Sequence, residues 1–193
     1  SVCHLRLGLW PRYSISVQVM KMTIRSDGDE RETYADFAPK DTWTQVLPRL
    51  WIGATDDDDT LGHELEEPRI TLANFDTVIS LHAWSNPADW HVREIRQPFH
   101  DGDLSEIDTQ DLWFLANTVY GDWMNGRRVL VRCLAGLNRS GLVIALVLIM
   151  AGFSASEAIG HIRSVRSKNA LCNQDFAQWL LQLDVSEWQR NPS

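Results

Sequence analysis

The sequence has few cysteines, no long hydrophobic run and a deficit of positive charge. Its three cysteines, Cys3, Cys133 and Cys172, are widely spaced and odd in number within 193 residues. That argues against a disulfide framework and fits a reducing, cytoplasmic setting. No pair of them has zinc-ligand spacing, and neither a metal nor another cofactor is expected. The longest apolar stretch, residues 142–153, is well short of the roughly 20 residues needed to cross a bilayer, so it reads as a buried core helix and no membrane attachment is expected. Net charge is −8, with the acids concentrated in the first two-thirds of the chain. A nucleic-acid partner would require a basic face, and none is present. An acidic chain that binds an anion must therefore build a small, locally positive pocket against its own field.

What is there is ordinary globular material, 44% hydrophobic and 23% charged. This is enough for one well-buried core of about 150 residues plus an extension. Residues 1–41 read as that extension and linker, partly flexible. The first 25 residues carry Arg6, Arg12, Lys21 and Arg25 and no acid, but they show neither the apolar core nor the cleavage site of a targeting segment. The folded domain is expected over residues 42–190, opening near Trp43.

From there strands and helices alternate. Residues 46–52 read as one extended run ended by Gly53. The acids at positions 56–59, followed by Glu64, Glu66 and Glu67, read as a solvated loop and helix start rather than a metal site. Residues 77–81 form a buried strand, residues 84–90 a loop, and residues 92–98 a further strand. Helical spacing of Leu112, Leu115, Val119 and Trp123 predicts a helix over 108–124, ended by Asn125 and Gly126. Residues 128–131 read as a central strand, because aliphatic residues run together without alternation. A helix follows from about Ser140 to Ala151. Ser154 and Glu157 have capping-box spacing for the next helix, and Asn173 caps a last one that carries Phe176, Leu180 and Leu183 inward. This alternation predicts an α/β sheet with helices on its faces.

The chemistry is expected where Cys133 ends the central strand and a helix begins a few residues later. Backbone N–H groups of such a loop, with the helix N-terminus, converge on an anion, and the same field favours a thiolate over a thiol. Gly136 lets the backbone turn tightly. Arg139 offers a planar fork for two phosphate oxygens, which lysine cannot supply. The Ser140 hydroxyl is placed to assist the sulfur as a leaving group. Leu134, Ala135, Gly136, Leu137 and Asn138 would line the bound phosphate. A cysteine six positions before an arginine is weak support alone, since chance supplies it in roughly one such chain in four. The added glycine, serine, strand and helix make chance a poor account.

The segment from Val129 through Cys133, Gly136, Arg139 and Ser140 to Gly141 closely resembles the signature loop of dual-specificity protein phosphatases, within the cysteine-based protein tyrosine phosphatase superfamily. The resemblance extends over about residues 44–185. Residues 46–53 look like the family's first strand, while residues 158–166 and 173–176 look like its closing helices. It implies a central mixed, mostly parallel sheet flanked by helices, and phosphate-monoester hydrolysis through a phosphocysteine. One departure is Arg132, where the family usually has histidine; a permanent cation near the sulfur would still favour the thiolate. The resemblance also implies an aspartate about 30 residues before the cysteine as the general acid. Asp101 is preferred, with Asp103 the alternative, and Gly102 gives the loop freedom to present either. Asp108 and Asp111 are expected to cap or charge a helix start.

The uncharged loop side chains argue for phosphotyrosine and phosphoserine or phosphothreonine in proteins, with Trp84 and Trp90 either walling the pocket or packing elsewhere. The alternatives are a phosphate-binding pseudophosphatase, or the same chemistry on RNA 5′-triphosphate or a phosphoinositide. The expected partner is thus a phosphoprotein or phosphopeptide substrate. The oligomeric state is left open.

Overall fold

Strands form where aliphatic and β-branched residues run together, and two of the interior strands are buried at every position. In this computed structural model the described residues are 41–55 and 67–184, together with Pro39 and Ser186. The expected extension over residues 1–41 and the acids at 56–66 fall almost wholly outside them. Five strands make one sheet: β1 (Trp43–Leu47), β2 (Leu50–Ala54), β3 (Thr77–Ser80), β4 (Arg93–Arg96) and β5 (Val129–Cys133). Their order is β1-β2-β5-β3-β4. The β1–β2 pair is antiparallel and the other three pairs are parallel. The sheet is thus mixed and mostly parallel, as expected.

The single run predicted over 46–52 is instead interrupted at Pro48 and Arg49, the turn of the β1–β2 hairpin. Pro48 sets its own φ, and Arg49 adopts a positive φ of 68°, the third-position geometry of a type II turn. The Arg49 guanidinium donates to the Gly126 carbonyl at 2.7 Å, and Trp123 Nε1 donates to the Pro48 carbonyl at 2.9 Å. These contacts compensate for a left-handed arginine where glycine is usual. Gly53 does not end the strand; it lies inside β2, opposite Arg132.

Helix α1 (Thr109–Met124) is capped by Asp108, whose side chain accepts from the Gln110 amide, and it buries Leu112, Leu115 and Val119 as its spacing predicts. Helix α2 (Arg139–Met150) is buried along its whole length, which is why its sequence is apolar on every side. It packs on β5 and β2, with α1, α3 (Ala155–Val165) and α4 (Gln174–Gln182) around it. The capping box at Ser154 and Glu157 forms as predicted. Asn173 caps α4, which buries Phe176 and Leu180, while Leu183 is its half-buried C-cap. The opposite face of the sheet carries Ile70, Phe75, Val78, Val92 and Leu130, sealed by Trp43 and Trp51 set edge-on to Phe75. No helix among the described residues is long and apolar enough to cross a membrane.

Ala54 pairs with Cys133, and Ser80 with Arg132. The carboxyl ends of three parallel strands therefore lie side by side. Open α/β sheets build their ligand sites at that edge.

Candidate active site

Cys133 is the last residue of β5, and only 1% of its surface is exposed. Its carbonyl and that of Leu134 accept the Thr55 amide at 2.8 and 3.1 Å, which anchors the start of the loop to the end of β2. Gly136 has φ of 66°, and a Cβ there would lie 2.5 Å from Arg166 Nη2 and from the Gly53 backbone. Glycine is therefore required by both conformation and space. Among the described residues, none of the amides at positions 134–138 donates to a protein acceptor. The loop is thus a set of N–H groups followed by the positive end of α2, an arrangement that attracts an anion.

Arg139, the first residue of α2, is buried. Its Nη1 donates to the carbonyls of Leu81 at 2.9 Å and Phe99 at 3.1 Å. Its buried Nε has no protein partner. One arm of the fork is fixed by the scaffold, and a donor on another edge is left for an oxyanion. Ser140 Oγ lies 3.3 Å from Cys133 Sγ. Leu134 and Ala135 are half-buried at the rim. The side chains of Leu137 and Asn138 are engaged elsewhere. Leu137 is a buried core side chain, and the Asn138 side chain turns to Asp101, Cys172 and Asn173.

Asp101 is exposed, yet both its oxygens are bonded. Oδ2 accepts from Asn138 Nδ2 and Oδ1 from Asn173 Nδ2, each at 3.1 Å. Asp103 is committed elsewhere: its carboxylate accepts the Ser105 amide at 2.8 Å and caps a short 3₁₀ turn, Leu104–Glu106. That bond holds the Asp103 carboxyl below its ordinary range. Of the two aspartates, only Asp101 is bonded to the phosphate-type loop. Trp90 is 91% exposed and walls nothing. Among the described residues, no group of three or more His, Cys, Asp or Glu is placed to hold a metal ion.

The profile of the family described as "Dual specificity phosphatase, catalytic domain" matches residues 63–186, almost two-thirds of the sequence, including the whole loop. The chain belongs to the dual specificity phosphatase family. Solved structures with the same fold include human DUSP28, at TM-score 0.58 and 21% identity over 76% of this chain and 95% of that one. OH1 from the Orf virus, described as a tyrosine phosphatase with triple substrate specificity, has TM-score 0.60 and 16% identity over 77% and 90%. PTPMT1 in complex with PI(5)P has TM-score 0.56 and 18% identity over 76% and 98%. No curated protein matches the sequence.

In this dual specificity phosphatase domain the departure at Arg132 has a different meaning from the one expected. Arg132 is fully buried, and strand alternation puts its side chain on the sheet face opposite that of Cys133. Its Nε donates to Ser80 Oγ at 2.9 Å, and its Nη2 donates to the Asn86 carbonyl and lies 3.4 Å from Glu94 Oε1. The cation is therefore paired behind the sheet, with Ser80, Asn86 and Glu94.

Two further residues at the site escaped sequence reasoning. Arg166, at the C-cap of α3, is buried, and its Nε donates to the Gly136 carbonyl at 3.1 Å. Its Nη1 donates to the Asp41 carbonyl at 2.6 Å and to Thr44 Oγ1 at 2.9 Å. Burial lowers its pKa to about 10, against opposing pulls from Cys133 and Asp41, so it stays charged at neutral pH. His82 follows β3; burial, then Arg139, Arg132 and Arg96, push its pKa down to about 4. It is a neutral imidazole among guanidinium groups. Neither residue belongs to a local motif. Only the family resemblance, which includes residues 158–166, pointed toward Arg166.

Proposed function

We propose that this domain hydrolyses phosphate monoesters, chiefly phosphotyrosine and phosphoserine or phosphothreonine in proteins, through a phosphocysteine intermediate. The observation that carries this is Arg139, whose one arm is held by Leu81 and Phe99 while its buried Nε is without a protein partner, beside a loop of unpartnered amides and Cys133.

In the first step Cys133, as thiolate, attacks phosphorus. The S–P bond forms, the ester P–O bond breaks, and Asp101 as the carboxylic acid gives its proton to the departing oxygen. The loop amides and Arg139 hold the equatorial oxygens as charge spreads over them. In the second step water attacks phosphorus, and the Asp101 carboxylate takes its proton. The S–P bond then breaks, with the Ser140 hydroxyl donating to the leaving sulfur. This chemistry requires a reduced cysteine, which favours a cytoplasmic setting.

The choice of a protein substrate rests on the rim. Asp101, Asp103, Glu106 and Asp108 are all exposed on the segment that carries the candidate acid, and residues 97–111 contain no lysine or arginine. A phosphoinositide headgroup or an RNA 5′-triphosphate would bring additional phosphates against these carboxylates, whereas a singly phosphorylated peptide would not.

Replacing Cys133→Ser should abolish turnover of an aryl phosphate and a phosphopeptide while leaving binding of tungstate measurable. A Cys133→Ser variant that retained its activity would overturn the assignment. Faster turnover of the lipid headgroup or RNA end than of phosphopeptide would move the substrate class.

A further inference from the structure

Helix α1 buries one face in the core and leaves the opposite face without charge. Residues 112–126 contain a single charged side chain, Asp122, and it is buried. Opposite the buried Leu112, Leu115 and Val119 run Gln110, Phe114, Asn117, Gly121 and Met124. Their alternating spacing of four and three residues keeps them in one stripe, as at a helix–helix seam. Phe114 is 50% exposed and Met124 61%.

Gly121 interrupts this stripe, and nothing within the chain calls for glycine there. Its φ is not positive, and among the described residues a Cβ would meet nothing within 4 Å. Glycine inside a helix lowers its stability relative to alanine. It also leaves a notch in the stripe, two turns beyond the Phe114 ring.

Charge returns at the two ends of the stripe with opposite signs. Asp108 and Asp111 are exposed at its amino end, and Arg127, 48% exposed, follows its carboxyl end. Arg127 Nε lies 3.8 Å from Asp122, a carboxylate that Arg93 already holds at 2.6 Å.

We infer that α1 is a homodimer contact, packed antiparallel on the α1 of a second copy about a two-fold axis between Asn117 and Thr118. In that register Phe114 fills the notch at the partner's Gly121, and symmetry repeats the fit, as an isologous interface requires. Asn117 lies beside the axis, where an amide can both donate to and accept from its own copy. Asp111 falls level with the partner's Met124, one turn from the partner's Arg127. A parallel pair would instead set acid against acid and arginine against arginine. The surface thus complements itself in shape and in charge, which selects a second copy over an unrelated partner. One helix per copy makes a small contact, so a dissociation constant of about 10–100 μM is expected.

Sedimentation equilibrium of the full chain, from well below to well above that range, should show monomer and dimer and nothing larger. Gly121→Ala should raise the urea midpoint of dilute protein and yet weaken the dimer about tenfold, by closing the notch. Phe114→Ser should also weaken it about tenfold. Asp111→Lys and Arg127→Glu should each weaken it about threefold, and both together in one chain should restore it. These two positions are about 24 Å apart along one chain, so restoration is possible only between copies. A monomer at every concentration, or a dimer indifferent to Gly121→Ala and Phe114→Ser, would overturn the inference. So would a double charge variant that dimerises more weakly than either single one.

Discussion

Arg132 and Glu94 form an ion pair at 3.4 Å on the sheet face opposite that of Cys133, with the arginine side chain fully buried and the glutamate side chain 13% exposed. Glu94 Oε1 also accepts Ser80 Oγ at 2.7 Å and Arg96 Nη1 at 2.8 Å, and its Oε2 accepts the Ala88 amide at 3.0 Å. Arg96 in turn donates to the Ser85 carbonyl at 2.6 Å. The segment after β3 is thus fastened to β4 and β5 by charge. That segment begins at Leu81, whose carbonyl holds Arg139.

Removing one partner of a buried ion pair typically costs about 3–5 kcal/mol. Glu94→Ala should therefore destabilise the domain by about 3 kcal/mol in urea unfolding. The double variant Arg132→Met with Glu94→Leu should lose less, because it removes both charges together. A double variant less stable than Glu94→Ala would contradict this.

His82 should make stability depend on pH between neutrality and pH 4. Its folded pKa of about 4 lies below the ordinary 6.5, first through burial and then through the arginines around it. As pH falls through 6.5 the unfolded chain takes up a proton that the folded domain refuses. The stabilisation is fully present above pH 6.5, declines to about pH 4 and changes no further below that. With allowance for the partial exposure of the ring, the loss is about 2 kcal/mol. His82→Leu should be flatter over this range, and parallel urea-midpoint curves for the two proteins would refute the assignment.

Arg166 should tune oxyanion binding without touching the anion. Its bond to the Gly136 carbonyl turns the Leu137 end of that planar peptide, and its N–H, the opposite way. Arg166→Met releases the carbonyl, and tungstate affinity measured by calorimetry should fall about tenfold, as for loss of a hydrogen bond to a charged group. Arg166→Lys should recover part of this at most, since an ammonium cannot span Gly136, Asp41 and Thr44 together. Tungstate affinity unaffected by Arg166→Met would remove Arg166 from the site.

Much of this was legible along the chain because its cause is local. The capping box at Ser154, the cap at Asn173, the buried face of α1 and the wholly apolar α2 are each set by residues within a turn or two of one another. The loop from Cys133 to Ser140 was legible for the same reason: strand end, tight turn and helix start are consecutive. The hairpin at Pro48 was misread because the expectation of one continuous run overlooked a left-handed arginine, which tertiary contacts with Gly126 and Trp123 support.

The sequence by itself determined the sheet-and-helix class and the loop proposed to bind phosphate, because backbone geometry and short spacings decide both. Tertiary structure alone decided where Arg132 sends its charge, which aspartate meets the loop and what supports it. Asn138 and Asp101 are 37 positions apart, and Asn173 and Asp101 are 72. Their hydrogen bonds exist only once the sheet has brought its carboxyl ends together and α2 and α4 have packed. No local pattern can specify a contact whose geometry is set by the packing of elements between its partners.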